Sequence, residues 1–366
     1  MKTICLIGNN GFGKPVFDGQ RIKVRTYKDV FESEGFSVNL VELDKPFKRL
    51  FKIFSDIKQG IKNCDIIVLI TSDNGEKLLI PYINRINKKY KRRFVFSQIG
   101  TSFLFPYIKS LSEEEKRDFF HNHNFLDLKP NKKTIKNLQL IDVILAETEL
   151  IQSAFSKFFC LENCYYMTNF RVINQPTNKE HALQNKLVYL SRVTSRKGIF
   201  DLLSVLNDIK ENTNIEFTLD IYGTLYLSDT EKMAFESLLN DRIKYLGEIP
   251  QNKTIEMLQE HDLLCFPTKC EGEGTPGCVI ESLIAGTPIL SSSFTQADEL
   301  LSNGQDSLLY EFNNNEDMKK QLLRFLGDEK MYQTFRKGAL SSGEKFTYSY
   351  NRNAFLKLIC GDDYEK

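Results

Sequence analysis

Short apolar, β-prone runs return along this chain at intervals filled by helical patterns, and that alternation constrains the fold more than any other feature. In the first half such runs fall at residues 3–8, 37–43, 65–71, 93–99, 141–146 and 165–168. A second series follows at 186–191, 215–223, 242–247, 262–267, 288–291 and 307–310. Strands separated by helices are parallel, because each connection has to carry the chain back along the sheet before the next strand begins. The polar stretch 174–184 divides the two series and reads as a linker. At 366 residues the chain is longer than one core ordinarily organises. The expected fold is therefore α/β, with two Rossmann-like, doubly wound parallel-sheet domains at residues 1–173 and 185–343 and a C-terminal helical segment at 344–366.

Composition narrows the setting. Hydrophobic residues at 41% and charged residues at 27% are the proportions of a water-soluble globular protein. The net charge of +1 conceals an asymmetry: residues 1–170 carry 27 Lys+Arg against 19 Asp+Glu, and the remainder carries 22 against 29. A basic half beside an acidic half implies that one domain faces an anionic surface or substrate. No nucleic-acid partner is expected. The eight cysteines have no paired zinc spacing, and Cys5, Cys64 and Cys265 sit in or beside apolar strand runs. They read as reduced core residues of a cytoplasmic protein, with Cys160 and Cys164 as a buried pair of thiols. No signal peptide opens the chain and no apolar run is long enough to span a bilayer, so any membrane contact is expected to be peripheral, at the inner face. One candidate for it is residues 47–61, where apolar residues at 47, 50, 51, 54, 57 and 61 have helical spacing among Lys48, Arg49, Lys52 and Lys58. Such a helix either lies on an anionic membrane or covers the sheet with its apolar face.

Three stretches carry chemistry. After the first strand, Gly8-Asn9-Asn10-Gly11-Phe12-Gly13-Lys14 nearly spells a P-loop, but Pro15 stands where a magnesium-binding Ser or Thr belongs. What remains is a Gly-rich turn that lets backbone approach a ligand, followed by a helix opening with Arg21, Lys23 and Arg25. After the strand at 186–191 comes Arg192-Val193-Thr194-Ser195-Arg196-Lys197-Gly198, which puts cations at a strand's C-terminal end, where open α/β sheets bind ligands. The third runs from Glu273 to Pro288. Thr275 suits an N-cap and Pro276 the first helical position, while Gly286 and Pro288 end the helix. Such an N-terminus attracts phosphate, and Glu273 and Glu281 frame it. Residues 110–138 read as a polar, irregular loop; His121 and His123 within it lack a third ligand, and no metal site is expected anywhere in the chain.

The spacing Glu273, seven residues, Glu281, with Gly274 and Pro276 between, resembles the signature of retaining glycosyltransferases of family 4. Arg192 and Lys197 match that family's diphosphate-holding pair in type and spacing. Tyr222-Gly223-Thr224 and Leu246-Gly247-Glu248-Ile249-Pro250 are similar to its base-binding turns, and the loop containing Gly13 to its N-terminal loop over the donor phosphate. The resemblance implies the GT-B architecture, two Rossmann-like domains facing across a cleft with a C-terminal helix crossing back to the first. It also implies transfer of a sugar, with retention and without a metal or other cofactor, from a UDP- or GDP-linked donor to a saccharide, lipid-linked or protein acceptor, in the manner of bacterial polysaccharide biosynthesis. By resemblance Glu273 lies against the donor sugar and Glu281 holds the ribose. Arg192 and Lys197 hold the diphosphate, and Gly274, Thr275, Pro276, Gly277, Gly223, Thr224, Glu248 and Ile249 complete the donor site. The family often places a histidine after the fourth strand; here that step is Gly100-Thr101, which leaves the sugar unassigned. A nucleotide-sugar epimerase or phosphorylase on the same scaffold, or a silent binding partner of an active transferase, would share these motifs.

Overall fold

The computed structural model describes residues 2–11, 19–43, 50–71, 74–125, 128–173, 181–270 and 273–361. The chain divides into two compact units, one of Met1–Val172 with Asn351–Lys366 and one of Ile173–Tyr350.

In the first unit, β1 (Thr3–Gly8), β2 (Ser37–Glu42), β3 (Ile66–Ile70), β4 (Arg93–Ser97), β5 (Val143–Ala146) and β6 (Cys164–Tyr166) form one parallel sheet in the order β2-β1-β3-β4-β5-β6. Interior strands in such a sheet are covered on both faces, so their sequences are continuously apolar: all of β3, Ile-Ile-Val-Leu-Ile, is buried. Edge strand β2 instead begins with alternating exposure. Helix Gly19–Ser33 buries Val24, Tyr27, Val30 and Phe31. The helix Tyr348–Cys360 completes this core from the far end of the chain, with Phe355 in aromatic contact with Tyr27 (4.8 Å between ring centroids), Phe31 and Phe170. Its C-terminal carbonyls are held by Arg93, which donates to Ile359 O at 2.9 Å and Leu358 O at 3.1 Å. That helix starts later than residue 344 because a 3₁₀ turn, Glu344–Phe346, and extended Thr347 precede it.

The segment read as a possible membrane helix spans Leu50–Lys62, and residues 44–49 lie outside the described residues. Ile57 and Ile61 of the expected stripe are buried together with Ile53, which was not in it, while Phe51, which was, is exposed; the helix covers the sheet with a face displaced from the one expected. Residues 110–138, read as irregular, contain the helices Glu113–Arg117 and Lys132–Leu138 and a π-turn at Asp118–Asn122. The signal passed over was local: Ser112 forms a capping box with Glu115, and Asn131 caps the later helix. Cys160, expected to be buried beside Cys164, is exposed, because it takes the left-handed position that ends helix Glu149–Phe159.

The second unit repeats the plan with β7 (Lys186–Leu190), β8 (Thr218–Tyr222), β9 (Ile243–Gly247), β10 (Leu263–Phe266), β11 (Ile289–Ser292) and β12 (Ser307–Tyr310), in the order β12-β11-β10-β7-β8-β9. All pairings are parallel. The order reverses between β7 and β10, so the loops leaving these neighbours diverge and open a crevice at their C-terminal ends. Strand β8 is shorter than the run 215–223. Fully buried Asp262 accepts from Gln184 N (2.9 Å), Lys186 N (2.7 Å) and His181 Nε2 (2.8 Å), which pins the start of the unit to the foot of β10.

Candidate functional site

The crevice at the ends of β7 and β10 is built by close backbone approach. Gly198 has φ +72, and a Cβ there would stand 1.8 Å from Pro267 O; at Gly223 (φ +142) it would stand 1.8 Å from Ser191 O. Only glycine allows the turn after β7 to press on the chain leaving β10, and the turn after β8 to press on β7's end. Lys269 N donates to Arg196 O at 2.9 Å and fastens the first of these contacts.

On this frame Lys197 meets Glu273. Its Nζ donates to Glu273 Oε1 and sits over the Phe266 ring, 5.5 Å from the centroid. Thr268 Oγ1 donates to the same carboxylate oxygen at 2.8 Å. Both partners of the ion pair are only 12% exposed. Burial by itself would pull the Lys197 ammonium down, but the Glu273 carboxylate outweighs it and leaves the pKa above the usual lysine value. Arg192 is exposed at the mouth of the same turn and, among the described residues, enters no ion pair.

Helix Gly277–Ala285 starts at this pair. Its N-cap is Pro276 (φ −63, ψ 131), not Thr275, and no side chain caps it. The reason is that Pro276 stays extended, so Gly277 becomes the first helical residue and Thr275, buried, precedes the cap. Without a side-chain cap the first-turn N–H groups remain suited to an anion. Gly286 (φ +76) ends the helix as expected. Glu281 is 5% exposed inside it. Cys278, in the first turn, is pushed up to about 12 by burial, while it feels Lys197, Glu281 and Glu273; all four therefore share one neighbourhood. Gly274 is buried in the entering loop.

The turns after β8 and β9 lie together: Gly223 N donates to Gly247 O at 2.8 Å, Tyr245 OH to Gly223 O at 2.9 Å, and Thr224 Oγ1 to Glu248. Ile249 is partly buried beside exposed Glu248. Gly13 falls outside the described residues. Thr268 and Phe266, which position Lys197 and Glu273, were missed; a threonine directly after an apolar strand and five residues before Glu273 was the available signal. Also missed was a buried ion pair in the first unit. Lys23 Nζ donates to Glu147 Oε1 and to Gln98 O, both at 3.0 Å, and Gly100 N donates to Glu147 Oε2 at 3.1 Å. It anchors the Gly100-Thr101 step after β4. Among the described residues no three His, Cys, Asp or Glu side chains gather as a metal-binding group.

Comparison with known proteins bears on the fold and on the second unit. Residues 173–341 match the family described as glycosyl transferases group 1. An uncharacterised glycosyltransferase of Methanocaldococcus jannaschii is 20% identical over 177 residues, 48% of this chain and 44% of the relative. The amylovoran biosynthesis glycosyltransferase AmsK of Erwinia amylovora is 27% identical over 123 residues, 32% of this chain and 30% of its own. The chain thus spans less than half the length of the curated relatives it matches. Among solved structures, sucrose-phosphate synthase from Thermosynechococcus elongatus superposes with a TM-score of 0.72 at 14% identity, covering 98% of each chain. Anabaena HepE in complex with UDP-glucose gives 0.70 at 14% identity, covering 98% of this chain and 99% of HepE. With its two six-stranded parallel sheets the chain has the GT-B fold, and its residues 173–341 are similar to the group 1 glycosyl transferases.

Proposed function

We propose that the chain transfers a sugar, with retention of anomeric configuration, from a nucleotide-diphospho-sugar to a saccharide, lipid-linked or protein acceptor. The observation that carries this reading is the convergence of Lys197, Glu273 and the uncapped helix Gly277–Ala285 at one crevice, with Arg192 at its mouth. As the bond from the anomeric carbon to the phosphate oxygen breaks, negative charge collects on the diphosphate. Fixed cations and a helix N-terminus aimed at that charge lower the barrier. Lys197 exchanges part of its bond to Glu273 for a phosphate oxygen, which frees the Glu273 carboxylate for the donor sugar's hydroxyls. Glu281 holds the ribose, and the paired turns at Gly223-Thr224 and Glu248-Ile249 hold the base. The acceptor oxygen bonds the anomeric carbon on the face the diphosphate leaves, and the departing phosphate takes the acceptor's proton. Because Lys197 and Arg192 serve the diphosphate, a metal ion is not required. The donor is UDP- or GDP-linked; the UDP-glucose complex of HepE supports UDP first. Cell-surface polysaccharide assembly at the cytoplasmic side of a membrane, with peripheral contact to anionic lipid, is the setting we favour, supported by the relative from amylovoran biosynthesis.

Thermal melting with a panel of UDP-, GDP- and ADP-sugars tests the donor reading, because a ligand bound only by the folded state raises its stability. A shift with one nucleotide family is expected. A donor consumed with no acceptor present and released as an isomer would instead establish an epimerase, and binding without turnover a silent partner.

A further inference from the structure

Two neighbouring helices of the first unit share an outer face unlike the rest of it. Helices Leu50–Lys62 and Asn74–Tyr90 pack together: the Phe54 and Tyr82 rings lie 4.6 Å apart, and Tyr82 OH donates to Phe54 O at 2.8 Å. Both follow a strand of one parallel sheet and lead to the next, so they run in the same direction. Phe51 precedes Phe54 by about one turn, and Leu78 precedes Tyr82 by about one turn. The two therefore stand at about the same level on neighbouring helices. Phe51 is 92% exposed and Leu78 52%. Neither is needed by the core, which takes Ile53, Ile57 and Ile61 from one helix and Leu79, Ile80 and Ile83 from the other.

Below these apolar tips the same faces are cationic. Lys58 and Lys62 continue Phe51's face at helical spacing, and Arg85 and Lys89 continue that of Leu78; Lys58, Lys62, Arg85 and Lys89 are all exposed. Arg92 reaches across to Lys62 O at 3.3 Å and joins the two columns at their base. Of the two acidic residues on these helices, Glu76 is buried and Asp56 stands off this face, on the flank.

We propose that this paired face docks on an anionic lipid bilayer, with Phe51 and Leu78 entering the acyl boundary and the lysine and arginine columns lying on the headgroups. The proposal deepens the peripheral membrane setting proposed above and rests on it. It keeps Phe51 and Lys58 of the amphipathic-helix expectation and leaves Ile53, Ile57 and Ile61 to the core. A soluble polyanion would satisfy the cations but not the tips. Apolar side chains this exposed gain from burial, and an anionic bilayer offers that burial together with negative charge.

The chain contains no tryptophan, so Phe51→Trp supplies a single indole reporter at the proposed point of entry. Its emission is expected to shift to the blue on adding phosphatidylcholine vesicles that contain phosphatidylglycerol, and to stay unchanged with phosphatidylcholine alone. In co-sedimentation, the double variant Phe51→Ser with Leu78→Ser is expected to lose about tenfold to a hundredfold in partitioning, from the apolar area withheld. Lys58→Glu with Arg85→Glu should abolish the preference for phosphatidylglycerol. All four side chains are exposed, so melting temperature and nucleotide-sugar binding should remain those of the wild type. Wild-type sedimentation with phosphatidylglycerol vesicles but no change at the indole would overturn this surface and leave the membrane setting intact. No wild-type sedimentation would overturn both. Serine variants that bind vesicles and soluble heparin as well as the wild type does would transfer the face to polyanion binding.

Discussion

Lys197 and Glu273 should depend on each other for the stability of the second unit, and that dependence has a calculable size. Each is only 12% exposed, so removing one leaves a largely dehydrated charge behind. Loss of one partner from a buried ion pair costs about 3–5 kcal/mol. Lys197→Met should fall at the lower end, about 3 kcal/mol, because Thr268 Oγ1 still donates to Glu273 at 2.8 Å. At this domain size each kcal/mol moves the melting temperature by about 2–4 °C, so a fall of about 6–12 °C is expected. Glu273→Gln leaves the ammonium against the Phe266 ring and should cost a similar amount. The double variant buries no unpaired charge and should cost no more than one single variant, about 3 kcal/mol rather than the sum of about 6, giving a coupling of about 3 kcal/mol. Calorimetric melts of the wild type, the two single variants and the double variant close the cycle. Single effects that add within about 0.5 kcal/mol would refute the reasoning, since they would mean that water already screens the pair.

Lys197→Met should also lower turnover about a hundredfold or more, with a smaller change in donor affinity, as steady-state kinetics would show. Glu281→Gln should weaken donor binding about tenfold to a hundredfold, the worth of one hydrogen bond to a charged group, read by titration calorimetry. Gly198→Ala sets a Cβ 1.8 Å from Pro267 O at φ +72 and should destabilise the second unit by about 2 kcal/mol or more in a denaturant melt. Asp220 is held below the usual aspartate range, chiefly by its hydrogen bond from His261. A depressed carboxyl stabilises the fold above its unfolded pKa and loses that contribution as pH falls through its folded one. Asp220→Asn should therefore flatten the acid limb of the stability profile below about pH 4 while changing its shape little near neutrality.

The alternation of apolar strands with helical patterns carried the architecture because buried parallel strands leave no polar face to blur the signal, as the fully buried β3 shows. Element ends were less legible. The helix after β10 begins one residue later than its Thr275-Pro276 reading, since backbone at Pro276 stays extended. The candidate site was legible where chemistry is local, in the motifs that hold Arg192 and Lys197 and in the Glu273–Glu281 spacing. Its supports were not, because the Thr268–Glu273 and Lys23–Glu147 bonds depend on which loops the sheet order places side by side. At Leu50–Lys62 the helical period was legible but the buried face was not, because the expected stripe contains Phe51 and omits Ile53. Only packing could decide that Ile53, Ile57 and Ile61 face the sheet while Phe51 faces outward.

The most direct measurement is an NMR reading of the product's anomeric proton after the purified chain is given its donor and an acceptor alcohol in the presence of a metal chelator. Transfer is expected to proceed, and the new glycoside should have the same configuration as the donor. An inverted product, or an enzyme silenced by the chelator, would contradict a metal-free transfer with retention at the Lys197–Glu273 crevice.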